Sequence, residues 1–137
     1  MGSLYLLDTS VFSQPIRPEP VPSCQTRWRR HGDDRLAVPA MAIAELEYGL
    51  FLRNSEKLWE AYRKILKGRL QTLEFGTRAA SVFGEMKARQ RQLGKPVDDF
   101  DLAIAAVAVS HDLIVATLNL RHFKLIAGLK WEDWSKS

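Results

Sequence analysis

Four side chains that carry oxygen donors stand where a chain of this pattern would place chemistry: Asp8, Glu45, Asp101 and Asn119. Asp8 directly follows the apolar run Leu4–Leu7, and Asn119 comes shortly after the apolar run Leu113–Ala116. Glu45 lies in a helical segment that follows the run Leu36–Val38, and Asp101 opens the most apolar segment of the chain, LAIAAVAVS. In an open parallel sheet, ligands bind beyond the carboxyl ends of the strands, so these positions predict one cleft assembled from distant parts of the chain. Carboxylates gathered together repel one another, and their pKa values rise unless a cation neutralises them. A set restricted to Asp, Glu and Asn suits a hard ion, Mg²⁺ or Mn²⁺. Such an ion, with its bound water, is the usual apparatus for cleaving a phosphodiester.

Taken singly, each residue also has an ordinary explanation. Asp8 ahead of Thr9 and Ser10 can simply turn the chain at a strand end. Asp101, three residues after Asp98, has the spacing of a capping box, where acids suit the positive end of the helix dipole. Glu45 can be a solvated helix residue, and Asn119 tolerates a left-handed turn. The joint pattern is what these explanations leave over. Asp101 and Glu45 also abut apolar neighbours, so both are expected to be at least partly buried, where an unpaired carboxylate is costly. Glu47 points elsewhere on its helix and is the weaker candidate.

The elements that must hold these residues alternate between strand and helix. Leu4–Leu7 reads as a strand buried on both faces. Pro15, Pro18, Pro20 and Pro22 then enforce a loop, followed by a short helix over 24–31 and a strand at Leu36–Val38 closed by Pro39. Apolar residues at helical spacing predict a helix over 41–53, and a second one carrying Leu58, Trp59, Tyr62, Ile65, Leu66 and Leu70. Leu73–Phe75 is expected as a short strand, and Thr77 as the cap of a helix that Gly94 and Pro96 stop. The buried helix after Asp98 leads to a strand at 113–116, a turn at 117–119, a helical turn around His122 and Phe123, and an extended piece over 129–131. Strands alternating with helices argue for an α/β fold with a parallel sheet.

The 137 residues predict one domain, 1–137, and a composition of 46% hydrophobic and 26% charged residues excludes disordered and fibrous classes. The single cysteine, Cys24, rules out an intrachain disulfide and a cysteine-built zinc site, and favours a cytoplasmic protein. The longest uncharged run in the C-terminal half, Leu102–His111, is about half the length of a membrane span, so no membrane association is expected. A net charge of +4 is compatible with a polyanionic partner but says little alone.

The segments YLLDTSVFS, AIAELEYGL and GKPVDDFDLAIAAVAVSHDLIVATLNLRHF together resemble the PIN-domain ribonucleases, specifically the VapC toxins of bacterial and archaeal toxin–antitoxin pairs. The resemblance implies a three-layer α/β/α sandwich around a parallel sheet, an endoribonuclease dependent on Mg²⁺ or Mn²⁺, a VapB-like antitoxin that blocks the site, and a homodimer. Matched motif by motif, the family's acids fall on Asp8, Glu45 and Asp101. Asp8 and Asp101 would be the principal metal ligands, with Glu45 completing the pocket directly or through water. Thr9 and Thr117 match polar residues that line such pockets. Where many members place a fourth acid, this chain has Asn119, and His122 stands where an acid is frequent before Phe123. Both lower the negative charge of the pocket.

Among the basic residues, Arg91 and Lys95 run toward Asp101 and are expected to hold RNA phosphates. The helices with Leu50, Phe51, Leu58, Trp59 and Tyr62 carry more large apolar residues than one buried face needs, which leaves surface for an antitoxin or a second copy. The alternative to a nuclease is a PIN-like module that binds RNA or protein without cutting, with Asn119 marking the loss. A phospho-accepting domain lacks its lysine after the last motif strand, where none precedes Lys124, and a haloacid-dehalogenase-type phosphatase would need Asp where Ser10 stands.

Overall fold

The computed structural model describes residues 2–136; Met1 and Ser137, the ends of the expected domain, lie outside the described residues. Strand β1 (Tyr5–Leu7) leads into the four-residue helix α1 (Thr9–Phe12), a 3₁₀ turn at Gln14–Ile16 and helix α2 (Pro22–His31). After a 3₁₀ turn at Asp33–Arg35 come β2 (Leu36–Pro39), α3 (Ala40–Arg53), α4 (Glu56–Ile65), β3 (Gln71–Leu73) and α5 (Thr77–Gln92). The chain continues through α6 (Asp99–Ser110) and β4 (Ile114–Thr117), a 3₁₀ turn at Leu120–His122, and β5 (Trp131–Asp133).

All strand pairs are parallel, in the order β3-β2-β1-β4-β5, with Tyr5 opposite both Leu36 and Ile114. The strand period of two sends alternate side chains to opposite faces. Tyr5, Leu7, Leu36, Val38 and Ala116 enter a core with α1 to α4, whereas Leu6, Ala37 and Val115 enter a second core with α5 and α6. The result is the three-layer α/β/α sandwich. Helix α6 is buried along most of its length because it is apolar nearly all round.

The order of the strands fixes where a site can form. The chain steps outward from β1 through β2 to β3, then returns to place β4 on the other side of β1. The β1–β4 gap is therefore the topological switch point, and its carboxyl edge is the expected ligand crevice. Asp8 and the segment 117–119 lie on that edge, with the Asp8 N–H donating to the Ala116 carbonyl at 3.1 Å.

Three local expectations are corrected. Strand β3 ends at Leu73 instead of starting there, since Leu73 is the residue that reaches the core; Phe75 stacks edge-on against Phe83. The last strand is 131–133, where Glu132 accepts from Tyr5, Arg27 and Trp134, and Leu129 is buried ahead of it. Thr77 is the first residue of α5 and not its cap; Gly76 holds the cap position without a side-chain bond. Of the apolar residues on α3 and α4, Leu50 and Tyr62 are buried, while Phe51, Tyr48 and Leu52 remain largely exposed. No helix among the described residues is long and apolar enough to cross a membrane.

Candidate active site

The carboxyl edge of the sheet opens into a cleft of about 450 Å³ lined by Asp8, Thr9, Ser10, Glu45, Asp98, Asp101, Asn119, Arg121 and His122, with apolar residues from 96–104 and Leu125. All four oxygen-bearing residues expected from the sequence line it, contributed by β1, α3, α6 and the turn after β4.

Asp8 is the most constrained. It caps α1, with Oδ1 accepting from the Val11 N–H at 3.1 Å and from the Ser10 hydroxyl at 2.6 Å. Its Oδ2 accepts from the Thr117 hydroxyl at 2.6 Å. Thr117 in turn accepts from the Asn119 N–H, and Ser10 accepts from the Leu118 N–H, so one network joins the ends of β1 and β4. Burial pushes the Asp8 carboxyl above the usual range; the bonds from Ser10, Thr117 and Val11 pull against this, and the nearby Glu45 charge adds to the rise. The side chain that caps α1 is thus also one that lines the cleft.

Asp101 sits in the first turn of α6, whose cap is Asp98 with Oδ2 accepting from the Phe100 and Asp101 N–H groups. It is partly buried, as expected. Burial raises its pKa to about 6; His122, with Nδ1 3.3 Å from Oδ2, opposes the rise, while Asp98, Asp8 and Glu45 reinforce it. These carboxylates therefore feel one another across the cleft.

Other placements depart from expectation. Glu45 is exposed, not partly buried: Ala42, Leu46 and Leu50 form the core face of α3, and Glu45 is turned from it toward the cleft and solvent. Glu47 is held by the Tyr62 hydroxyl at 2.6 Å, outside the cleft. Thr117 is fully buried behind Asp8 and does not line the pocket; it positions the acid instead. Thr9 lines the pocket, and its buried hydroxyl oxygen has no hydrogen-bond partner among the described residues. Arg91 and Lys95 are exposed at the end of α5 and just beyond it, and neither lines the cleft; only Pro96, next to Lys95, reaches it. The cation on the wall is Arg121.

Sequence reasoning missed Ser10, Arg121 and Gln90. A hydroxyl two residues after an acid at a helix start was the available signal for Ser10. Gln90, almost fully buried on α5, donates to the Lys95 and Leu125 carbonyls and accepts from the Ala127 N–H. It thereby ties together the loops on either side of the cleft's outer wall.

The donors fit Mg²⁺ or Mn²⁺ chemically, since every acid is an oxygen ligand and their mutual repulsion calls for a cation. Among the described residues, no three His, Cys, Asp or Glu side chains stand close enough to enclose an ion by themselves.

The PIN-domain family model matches residues 5–129. The chain belongs to the PIN-domain family. Within it, the chain is 32% identical to the tRNA(fMet)-specific endonuclease VapC of Salmonella typhimurium, covering 95% of this chain and 97% of that one. It is 26% identical to ribonuclease VapC2 of Rickettsia felis, over 97% and 99% of the two chains. Among solved structures, it superposes on a chain of the DNA-bound VapBC complex from Salmonella typhimurium with a TM-score of 0.82 and 31% identity, over 96% and 98% of the two chains. A chain of FitAcB from Neisseria gonorrhoeae gives 0.87 and 25%, over 97% and 100%. The two superposed chains share the three-layer architecture found here.

Proposed function

We propose that this PIN domain is an endoribonuclease of the VapC kind, the toxin of a toxin–antitoxin pair, and that its activity depends on Mg²⁺ or Mn²⁺. The observation that carries the reading is the pair Asp8 and Asp101, brought from the first strand and a distant helix to one cleft, each with its pKa raised by burial and by neighbouring carboxylates. A carboxylate offers roughly four lone-pair positions. Three of those on Asp8 are used by Ser10, Val11 and Thr117, which leaves one on Oδ2. Asp8 and Asp101 would therefore be the principal residues to hold the ion, with Glu45 beside them directly or through water. When bound, the ion would supply an activated water and charge neutralisation at the phosphate.

The chain's own residues do the rest. Ser10 and Thr117 fix the orientation of Asp8, Asp98 and the α6 turn place Asp101, and Arg121 offers positive charge to the phosphate. Asn119 supplies a neutral polar side chain to the wall. A VapB-like antitoxin is the natural partner, since the structural relatives are toxin–antitoxin complexes. A homodimer fits the exposed Tyr48, Phe51 and Leu52 on α3. A cytoplasmic location goes with RNA as the substrate.

The test is cleavage of a labelled RNA during titration with Mn²⁺ or Mg²⁺, run beside Asp8→Ala and Asp101→Ala. Metal-dependent cleavage lost in both variants supports the reading. Cleavage without a divalent ion, or surviving either substitution, overturns it.

A further inference from the structure

A second cavity of about 420 Å³ adjoins the catalytic cleft, and the two share Thr9, Ser10, Glu45 and Asn119 along their border. Its floor is apolar, built from Ile16, Leu46, Leu50 and Leu58, and two arginines line it, Arg17 and Arg53. Arg17 is pre-set by its Nε donating to the Ser13 hydroxyl at 3.2 Å. Arg27, Arg63, Arg69 and Arg89 are each spent on a carboxylate. Neither Arg17 nor Arg53 has such a partner among the described residues, and neither has Arg121 on the far wall of the first cleft.

We propose that these two cavities form one path for the substrate strand. RNA crosses the acidic centre with Arg121 on one side, and its flanking nucleotides lie in the second cavity, held by Arg17 and Arg53. This rests on the reading of RNA as the substrate. Unpaired guanidinium groups suit phosphates, which they bind in a forked geometry. The apolar floor suits ribose and base faces, which stack without sequence demands. Two arginines without carboxylate partners among the described residues, in a cavity continuous with the cleft, are what favour a nucleic-acid strand over a protein segment. A strand cut at Asp8 and Asp101 must leave the centre on both sides, and this cavity is the cationic exit next to it. Arg91 and Lys95 lie off the path.

The path is tested by RNA binding in the Asp101→Asn background, which removes cleavage from the measurement. The probes are a fluorescein-labelled single-stranded 12-nucleotide RNA and an unlabelled trinucleotide competitor. Replacing both Arg17 and Arg53 by Ala is expected to weaken 12-mer binding about tenfold or more. The slope of log K against log salt should also shrink by about 1.4, at roughly 0.7 per phosphate released. Trinucleotide binding should fall less than 12-mer binding, because a fragment that short does not span both cavities. The Arg17→Lys/Arg53→Lys pair should restore most of the lost affinity, and Arg91→Ala/Lys95→Ala should stay within twofold. Unchanged 12-mer affinity in the Arg17/Arg53 variant overturns the path. So does an equal loss for trinucleotide and 12-mer. If the unsubstituted chain fails to cleave RNA with Mn²⁺ while the binding contrast holds, the nuclease reading fails and the path stands. Cleavage without the contrast fails the path alone.

Discussion

Replacing Asp101 by Asn should stabilise the metal-free protein while abolishing cleavage. Burial and the neighbouring carboxylates raise the Asp101 pKa from 3.8 to about 6. A carboxyl whose folded-state pKa stands above its unfolded value binds its proton more tightly in the folded chain. Stability therefore falls as pH rises between 3.8 and about 6, and the whole penalty is present above that window. At 1.36 kcal/mol per unit the shift corresponds to about 3 kcal/mol. Because 20% of the side chain is open to water, screening reduces this to about 1–2 kcal/mol. Asn keeps the shape and an acceptor for His122 but carries no charge, so Asp101→Asn removes the penalty. For a domain of this size, the gain is an increase of about 3–8 °C in Tm at pH 7.5 with EDTA present. At pH 4 the unsubstituted carboxyl is already protonated, and the two melting curves should nearly coincide. Adding Mg²⁺ should raise the Tm of the unsubstituted protein more than that of the variant, because the ion neutralises a charge that only the former has. Differential scanning fluorimetry over pH 4–8 reads all three effects. Asp112→Asn is the control of opposite sign, since Lys130 holds that carboxyl below its ordinary pKa and removing it relieves nothing. A variant less stable at pH 7.5, or a Tm difference independent of pH, would refute the reasoning.

Thr117→Val removes the donor to the buried Asp8 and the acceptor of the Asn119 N–H; it should cost about 1–3 kcal/mol by urea denaturation and weaken Mn²⁺ binding measured calorimetrically. Gln90→Leu breaks three hydrogen bonds between α5 and the outer wall; the expected loss is about 2–4 kcal/mol, with a higher KM for RNA because both loops loosen. At sub-saturating metal, cleavage should rise about tenfold per pH unit below pH 6 and level off above it as Asp101 loses its proton, a profile read by initial rates. Asn119→Asp adds a carboxylate to the cleft and should tighten Mn²⁺ binding while lowering the Tm in EDTA, both followed in the same titration.

The fold was legible in the sequence where one type of residue dominates a segment. Leu4–Leu7 and LAIAAVAVS could only be buried, and they set the central strand and the covering helix. Strands β3 and β5 were displaced by two residues because both are edge strands of three residues, whose bounds are set by their partners and not by their own apolar content. Gln71 and Thr72 are exposed, so nothing in their character announces a strand. The cleft was legible through its acids because a carboxylate beside a strand end or an apolar helix has few neutral reasons to be there. Arg121 and Gln90 were not, because what distinguishes them is where loops 93–98 and 118–129 meet, a contact that no local pattern encodes. The exposure of Glu45 follows from a rotation of one residue on α3. A neighbour of Leu46 is not itself on the core face, and adjacency in sequence was a poor proxy for burial on a helix.

Asp8 and Asp101 are positioned by the devices that made them look ordinary. Asp8 is oriented by capping α1, and Asp101 is set at the mouth of the cleft by the cap that Asp98 supplies to α6. Capping and a place in the cleft are therefore not rival explanations for these residues. A helix start at the carboxyl edge of a strand holds an acid rigidly, surrounds it with N–H donors and leaves part of it facing the crevice. The same arrangement raises the stakes of charge: with Asn119 in place of a further acid, Asp8, Glu45, Asp98 and Asp101 face Arg121 and His122 across one cleft. One divalent ion would leave that cleft close to neutral. The surplus of basic residues over acidic ones then falls on the surfaces outside it, which is where a polyanionic strand must be held on either side of the bond to be cut.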